Sequence, residues 1–339
     1  MISSLSNLTH KILNCDNDFL VMRDSVQQLY NMFKEIAQVD IENYNSNDIF
    51  LPSGKALSSS YAAHCLLEMK RTAVFLRGIK KAIDLKLVEK NGKPIRILYA
   101  GTGPYATLIT PLLPFYSSEL VKVDFIEINP ISMLAAKRVV EHFGLTTFVE
   151  HYFVCDAATF TVAKPYDVVI SETMQRCLQY EPQVAIMQNL VAQLPPYAIF
   201  IPENITINAV LTSRGKWNPE TCISEGVERI SLGCIMEANP KNPHCSSRIV
   251  ELPSRLEEGT RLGLYTKVLV FDGDILEEGD CSLTLPVMLF DSAPFAGHKL
   301  KFSYTQGEAP HVSCKILSTG KVISATIGKE SNVQKVMIE

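Results

Sequence analysis

Short apolar segments alternate with segments typical of amphipathic helices between residues 95 and 202. Apolar runs of this kind, rich in β-branched and aromatic residues, are typical of strands that are buried on both faces of a parallel sheet. Since neighbouring parallel strands need a crossover connection, the alternation predicts right-handed βαβ units in a doubly wound, Rossmann-like α/β fold. The predicted strands are IRILYA (95–100), VKVDFIEI (121–128), FVEHYFVC (148–155), YDVVIS (166–171) and YAIFIP (197–202). The predicted helices between them cover residues 106–113, 130–143 and 182–194.

The segments on either side of this region have other periodicities. Before it, apolar residues recur at steps of three and four over residues 19–36 and predict a helix, and residues 61–87 predict a second long helix. The polar residues 40–60 between them contain turn signals and predict a loop. After residue 202, apolar and polar residues alternate with a period of two, which predicts half-buried antiparallel strands in a β-barrel or β-sandwich. This alternation recurs at 205–211, 283–289, 300–304, 312–316 and 323–327.

Composition limits the kind of protein that the chain forms. Of its 339 residues, 47% are apolar and 20% are charged, so a sizeable core can form and wholesale disorder is excluded. The 32 basic and 36 acidic residues give a net charge of −4, which argues against a dedicated nucleic-acid binder. No apolar stretch is long enough for a membrane span, and the N-terminus does not resemble a secretory signal. Nine scattered cysteines without a CxxC pair predict reduced thiols in a cytoplasmic protein and no metal site.

A glycine-containing turn follows the first predicted strand of the sheet. Residues 101–105 read Gly-Thr-Gly-Pro-Tyr, and in a doubly wound fold this turn lies at the carboxyl edge of the sheet, where ligands bind. Glu127 ends the second strand, where its carboxylate can accept both hydroxyls of a ribose, and Asp156 ends the third, within reach of an adenine edge. The third glycine of a dinucleotide-binding turn is absent, so the turn favours S-adenosylmethionine (SAM), which has no pyrophosphate, over NAD. The expected cofactor-binding residues of this edge are Gly101, Thr102, Gly103, Glu127, Asp156 and Ala157.

Two glutamates flank the loop after the fourth predicted strand. Glu172 and Glu181 belong to the same carboxyl edge, where two carboxylates can clamp a cation and align its nitrogen with a methyl group. Two like charges at close range are costly unless a cation lies between them, which favours a catalytic role for both residues. The alternative is structural: Glu172 caps a local group, and Glu181, which precedes Pro182, stabilises a helix N-terminus.

The segment SETMQRCLQYE (171–181) resembles the double-glutamate loop of the protein arginine methyltransferases, SEWMGYCLxYE, with the same spacing between the acids. EMKRT (68–72) resembles the ExxRT helix of that family, which implies that Arg71 binds the carboxylate of the donor. PENITINAVL (202–211) resembles the start of the family's β-barrel substrate domain. The resemblance covers about residues 60–211. It implies SAM as methyl donor, S-adenosylhomocysteine (AdoHcy) as product, and a homodimer that pairs through an arm projecting from the barrel.

These observations together predict three regions along the chain. An N-terminal helical segment and linker is expected at 1–60, a SAM-binding Rossmann-like domain at 61–202, and a β-barrel-like substrate domain at 203–339. Residues 214–260 fit neither the helical nor the alternating pattern and are expected to form an arm or insertion.

The sequence departs from the family in two places that bear on the acceptor. The family's barrel carries a Thr-His-Trp motif whose histidine lines the site, whereas no His-Trp pair occurs here, so that His298 or His311 would have to replace it. Within the double-glutamate loop, Thr, Gln and Arg replace the usual Trp, Gly and Tyr. If Arg176 faced the pocket, it would repel a guanidinium or pair with a carboxylate of the acceptor. Met174 and Arg176 are accordingly the expected substrate-binding residues.

The sequence therefore predicts a SAM-dependent N-methyltransferase that acts on a guanidine or amine group of a small molecule or free amino acid. A protein arginine methyltransferase and a non-catalytic SAM-binding relative remain as alternatives, as does an NAD-linked oxidoreductase on a similar sheet. Neither a nucleic acid nor a membrane is an expected partner.

Overall fold

A computed structural model of the chain describes residues 2–15, 18–39, 48–218, 223–317, 322–325 and 336–338. Its α-helices are, in chain order, α1 (Ile2–Leu13), α2 (Phe19–Ala37), α3 (Ser59–His64), α4 (Met69–Lys90), α5 (Pro130–His142) and α6 (Gln183–Val191). Its strands are β1 (Ile49–Leu51), β2 (Gly54–Ala56), β3 (Ile95–Ala100), β4 (Val121–Ile126), β5 (Val149–Phe153), β6 (Val168–Ser171), β7 (Ile199–Ile201), β8 (Asn204–Thr212), β9 (Lys216–Asn218), β10 (Ile223–Glu225), β11 (Arg229–Ala238), β12 (Arg248–Glu251), β13 (Arg261–Phe271), β14 (Asp274–Leu276), β15 (Val287–Asp291), β16 (Lys299–Thr305), β17 (His311–Leu317), β18 (Val322–Ala325) and β19 (Val336–Ile338).

Five of these strands form a parallel sheet in the order β5-β4-β3-β6-β7. Every neighbouring pair in it is parallel, which confirms the fold that the βαβ alternation predicted. In the register of the sheet, the last residue of β3 lies opposite the last residues of β4 and β6. Gly101, Glu127 and Glu172, which follow these three residues, therefore leave the sheet side by side at its carboxyl edge.

The parallel sheet lies at the centre of the hydrophobic core. All four residues of β6 are buried, and so are most residues of β3 and β4. Because successive side chains of a strand point to opposite faces, burial of consecutive residues means that both faces of the sheet are covered. This is the physical reason why these strands have continuous rather than alternating apolar sequences.

One carboxylate is buried within this sheet. Asp124 of β4 is 1% exposed and accepts a hydrogen bond from the Tyr166 hydroxyl at 2.6 Å. Its oxygens also lie 2.9 Å from Lys164 Nζ and 2.9 Å from His151 Nδ1. Lys164 Nζ in turn lies 2.5 Å from Glu150. Asp124, Glu150 and His151 are close enough together for a metal site, but Lys164 and, 3.9 Å from Glu150, Arg96 already offset the charge of the two carboxylates.

The C-terminal strands pair in an antiparallel manner, as the period-two alternation predicted. The run expected at 283–289 differs in part, because Ser282–Thr284 is a 3₁₀ helix and only the residues from Val287 lie in a strand. Residues 326 and 327 of the last run lie outside the described part of the chain. One five-stranded sheet has the order β11-β8-β13-β14, with β15 also paired to β13, and a second has the order β12-β16-β17-β18-β19. The segment 214–260 contributes β11 and β12 to these two sheets, and β9 and β10 pair with each other in a two-stranded antiparallel sheet. Closure into a barrel, the two boundaries between the three predicted regions and a dimerisation arm stay predictions.

The long helix expected over residues 61–87 is interrupted. α3 ends at His64, a 3₁₀ turn covers Cys65–Leu67, and α4 begins at Met69. Glu68 between them has φ −74° and ψ 79°, which is not helical. Its carboxylate accepts hydrogen bonds from both Ser282 and Arg71, so tertiary contacts hold the break in place.

Three further expectations differ from the structure. Residues 106–113 do not form the expected helix, because Ala106 has a positive φ of 45° and the chain continues in successive turns to a 3₁₀ helix at Leu113–Phe115. Pro182 is the N-cap of α6 rather than its first helical residue. The expected loop at 40–60 contains the β1–β2 hairpin and the start of α3, while residues 40–47 lie outside the described part of the chain.

Among the described helices, none combines the length and apolarity that crossing a membrane requires.

Candidate active site

A cleft lies at the carboxyl edge of the parallel sheet and spans about 970 Å³ of space not filled by protein atoms, part of it open to solvent. The sheet edge forms its floor, and residues of α3, the β1–β2 hairpin and the start of α4 form its walls. The predicted residues that line it are Arg71, Gly101, Thr102, Gly103, Glu127, Asp156, Ala157, Glu172 and Glu181. The topology thus gathers into one cleft side chains that are spread over more than a hundred residues of sequence.

The glycine turn needs its glycines for both conformation and space. Gly101 and Gly103 have φ of 74° and 61°, in the region that side chains other than glycine rarely adopt. A Cβ on Gly101 would lie 2.2 Å from Thr173 Cγ2, whereas a Cβ on Gly103 would meet only Ala62 at 3.6 Å. The first glycine therefore permits the double-glutamate loop to approach the turn, and the second permits the turn itself.

Glu127 holds the glycine turn in position. One of its carboxylate oxygens accepts a hydrogen bond from the Gly103 N–H at 2.7 Å, and the other accepts one from the Asn129 N–H at 2.9 Å. Burial raises the pKa of Glu127, and these backbone donors oppose that rise. The Ile128 N–H and the Thr102 side chain also donate to this carboxylate, so the residues on either side of the cleft edge fix its orientation.

Two further contacts shape the cofactor side of the cleft. Asp156 Oδ1 accepts a hydrogen bond from the Ala158 N–H at 2.8 Å, which fixes the turn after β5. The hydroxyls of Ser59 and Ser132 are 2.7 Å apart, and they join the start of α3 to the first turn of α5. Because Ser132 also lines the cleft, this contact holds α3 at the cleft.

Arg71 lies between two glutamates. Its guanidinium donates one hydrogen bond to Glu68 at 2.7 Å and a second to Glu172. The side chains of Arg71 and Glu172 are only 9% and 8% exposed, so this ion pair is nearly removed from water. Burial raises the pKa of Glu172, and the adjacent guanidinium opposes that rise. Glu68 also accepts hydrogen bonds from the backbone N–H and the hydroxyl of Ser282, at 2.6 and 2.9 Å.

Glu181 is the second acid of the cleft and is 6% exposed. Burial in the first place, and the charge of Glu172 in the second, raise the pKa of Glu181 to about 7. Oε1 of Glu172 and Oε1 of Glu181 are both buried without a hydrogen-bond partner in the described structure. Since Pro182 is the N-cap of α6, Glu181 precedes that helix rather than lying in its first turn. Its carboxylate is directed into the cleft with unused acceptor capacity.

The two residues expected to bind substrate do not line this cleft. Met174 is 3% exposed and packs in the hydrophobic core, and Arg176 is exposed to solvent. Arg176 therefore neither repels a guanidinium in the cleft nor pairs with a carboxylate there. The proposed replacements for the family's histidine are also outside it: His298 Nδ1 lies 3.0 Å from the Phe295 carbonyl, and His311 Nδ1 lies 2.8 Å from the Ala309 carbonyl.

Lys55 and Cys65 line the cleft although the sequence did not identify them. Lys55 lies on β2, whose hairpin is attached to the double-glutamate loop by a hydrogen bond from the Lys55 N–H to the Tyr180 carbonyl at 2.7 Å. The Pro-Ser-Gly turn at 52–54 signals a hairpin in the sequence, but nothing local indicates where that hairpin packs. Burial raises the pKa of the Cys65 thiol to about 11, so it is protonated at neutral pH.

The charge of the cleft favours a cationic ligand. Among its described lining residues, four carboxylates (Glu127, Asp156, Glu172 and Glu181) stand against two cations, Arg71 and Lys55. An excess of buried negative charge is costly, and a bound cation compensates it.

No protein-family model matches the sequence, and no curated protein matches it. Among solved structures, the fold is similar to that of a chain of the Trypanosoma brucei protein arginine methyltransferase 1 enzyme–prozyme heterotetrameric complex with AdoHcy. That similarity has a TM-score of 0.53 and 12% identity, and it covers 79% of this chain and 96% of that chain. Arabidopsis thaliana protein arginine methyltransferase 10 in an open conformation matches with a TM-score of 0.43 and 12% identity, over 78% of this chain and 93% of that one.

At 12% identity, the similarity to the trypanosomal chain establishes the fold. The chain has a protein arginine methyltransferase-like fold, in which a parallel Rossmann-like sheet is followed by antiparallel sheets. The fold that the sequence resemblance implied is thereby confirmed.

Proposed function

We propose that this chain is a SAM-dependent N-methyltransferase that transfers a methyl group to a guanidine or amine nitrogen. The observation that carries the proposal is the pair of buried, unpartnered oxygens of Glu172 and Glu181 in the same cleft as the glycine turn. Such oxygens are costly in an apo cleft and are satisfied by a cation with several N–H donors. The fold supports the proposal, because the similar trypanosomal chain belongs to a methyltransferase complex with AdoHcy.

The residues of the cleft fit a donor such as SAM. Gly101 and Gly103 line the cleft with positive φ, and the buried Glu127 carboxylate lies beside them at the end of the second strand of the sheet, where it would meet the ribose hydroxyls. Asp156 and Ala157 line the part of the cleft that follows β5, where an adenine would lie. Arg71 lines the cleft and is the cation for the donor's carboxylate. When bound, SAM supplies an electrophilic methyl group on a sulfonium sulfur.

Glu172 and Glu181 bind and orient the acceptor. With SAM bound, the acceptor nitrogen held by these carboxylates would form the N–C bond from its lone pair, sulfur would keep the electron pair of the broken C–S bond, and one proton would leave the nitrogen. Alignment of the nitrogen with the methyl carbon is the main contribution that the two carboxylates make to the rate. Because the pKa of Glu181 is raised to about 7, its carboxylate is also suited to accept the released proton.

The acceptor that we propose is a guanidine or amine of a small molecule or free amino acid. A protein arginine is the second candidate, favoured by the name of the trypanosomal neighbour and by the outward position of Arg176, which leaves the cleft free of a repelling guanidinium. A homodimer is proposed by resemblance, and light scattering after size exclusion would test it.

Glu172→Gln tests the proposal. We expect loss of methyl transfer by about a hundredfold or more, since oriented carboxylates of this kind contribute on that scale. AdoHcy affinity should stay within a few-fold of the wild type. The measurements are mass spectrometry of a panel of guanidines, amines and arginine peptides incubated with SAM, and calorimetry with AdoHcy and with NAD.

Glu258→Gln on an exposed loop serves as the matched control and should leave both readouts unchanged. Binding of NAD in place of AdoHcy would contradict the proposal and indicate the oxidoreductase. AdoHcy binding without a methylated product from the panel or from cell extract would indicate a non-catalytic relative. Unchanged turnover in the Glu172 variant would remove the assigned role of that residue.

A further inference from the structure

Lys55 is a cation of the cleft that the proposed reaction does not use. Among the described residues that line the cleft, Lys55 and Arg71 are the cations. Arg71 is paired with Glu68 and Glu172 and is assigned to the donor. A lysine in the cleft repels the cationic group of a ligand. An anionic group on the same ligand, placed at the lysine, would offset this repulsion.

The position of Lys55 is fixed relative to the acceptor carboxylates. Its backbone N–H donates to the Tyr180 carbonyl at 2.7 Å, directly before Glu181 in the sequence. Gly54 beside it has φ 137°, and a Cβ there would lie 2.7 Å from the same carbonyl oxygen. The hairpin is thus packed closely against the double-glutamate loop, and this packing fixes the backbone of Lys55 relative to that of Glu181.

The ammonium of Lys55 has capacity for a further partner. It lies 2.7 Å from Asp48 Oδ2, and the two side chains are 21% and 23% exposed. A lysine ammonium has three N–H donors, and the contact with Asp48 uses one of them. Asp48 itself is also held by the Ser58 N–H at 2.9 Å. The positive charge of Lys55 acts on the cleft, because it lowers the pKa of Glu181 against the effect of burial.

We propose that Lys55 binds the carboxylate of an acceptor whose guanidinium or ammonium lies between Glu172 and Glu181. The acceptor class is then a free basic amino acid, with its cationic end at the glutamates and its anionic end at the hairpin. This inference rests on the proposed function and specifies its substrate. It assigns to Lys55 the carboxylate recognition that the sequence suggested for Arg176.

Lys55→Gln in the AdoHcy-saturated full chain tests the proposal with two probes that differ only in the carboxylate, L-arginine and its decarboxylated analogue agmatine. Calorimetry should show that the wild type binds L-arginine more tightly than agmatine. In the variant, the dissociation constant for L-arginine should rise about tenfold, as for a lost charge-assisted hydrogen bond, while that for agmatine stays equal or falls. Lys315→Gln, an exposed lysine of β17, is the matched control and should change neither value.

Each other outcome overturns the inference in a distinguishable way. An unchanged ratio of the two dissociation constants in the variant, with or without an equal loss of affinity for both probes, would show that Lys55 does not bind the carboxylate. Binding of neither probe by the AdoHcy-loaded wild type would exclude this free amino acid while the donor site stands, and an arginine peptide would then be the ligand to measure. Failure of AdoHcy itself to bind would overturn the proposed function and the inference together. Unchanged AdoHcy affinity and thermal midpoint in Lys55→Gln show that the variant is folded.

Discussion

Glu181→Gln should stabilise the ligand-free protein, although it removes a residue of the proposed active site. The pKa of Glu181 rises from the ordinary 4.5 of a glutamate to about 7, because of burial first and the charge of Glu172 second. At about 1.4 kcal/mol for each unit of pKa, keeping this carboxylate ionised costs the folded state about 3 kcal/mol. A glutamine has nearly the same shape and carries no charge, so it avoids this cost. Proteins commonly lose stability at sites that serve function.

The pH dependence distinguishes this explanation from a general packing effect. Because the folded state binds its proton more tightly than the unfolded state, wild-type stability falls as the pH rises from about 4.5 through about 7 and is constant above that. The advantage of the glutamine variant should therefore be small at about pH 5 and reach about 3 kcal/mol at about pH 8.

Urea-induced unfolding, followed by far-UV circular dichroism over this pH range, measures that advantage. Glu258→Gln on an exposed loop is the control, and its effect should stay within about 0.5 kcal/mol at every pH. A Glu181 variant that is no more stable than wild type at about pH 8 would refute the reasoning. So would an advantage that does not change with pH.

Two further predictions concern the same cleft. Arg71→Gln should destabilise the protein by about 3–5 kcal/mol, because it leaves the buried Glu172 carboxylate without its partner. Urea unfolding should show that the double variant Arg71→Gln/Glu172→Gln recovers part of this loss. Calorimetry should show weakened AdoHcy binding in both variants. Gly101→Ala should cost about 2–3 kcal/mol and Gly103→Ala about 1 kcal/mol, since both have positive φ but only the first places a Cβ against Thr173 Cγ2. Thr173→Ser, which lacks that methyl group, should recover part of the Gly101→Ala loss in the same unfolding assay. Equal costs for the two glycine variants would contradict the steric argument.

The buried carboxylates of the cleft lower the stability of the folded protein. Its carboxylates are buried, like-charged and in part unpartnered, whereas the buried Asp124 in the middle of the sheet is surrounded by Lys164, His151 and Tyr166. Both sites contain acids removed from water, but only one has its charge balanced by side chains. An acid that the protein itself does not satisfy indicates a ligand.

Much of the fold could be predicted from the sequence because the relevant signals are local. The continuous apolar runs predicted the strands of the parallel sheet, and their ends predicted that Gly101, Glu127 and Glu172 share one edge. The prediction failed where a local pattern was overridden: residues 61–87 read as one helix, but Glu68 breaks it through contacts with Ser282, 214 residues away along the chain. The helix expected at 106–113 is likewise replaced by turns that begin at Ala106, with its positive φ.

The sequence by itself predicted which acids, which glycines and which strand ends come together at the cleft. Only the tertiary structure decided which side chains face the cleft. Arg176 stands between the two catalytic candidates in the sequence, yet it points to solvent, while Lys55, far from both of them, lines the cleft. The physical reason is that residue type and spacing fix what a side chain can do and where its backbone turns. Its direction and partners depend on packing between segments distant in sequence, such as the ion pair that joins Arg71 to Glu172 across 101 residues.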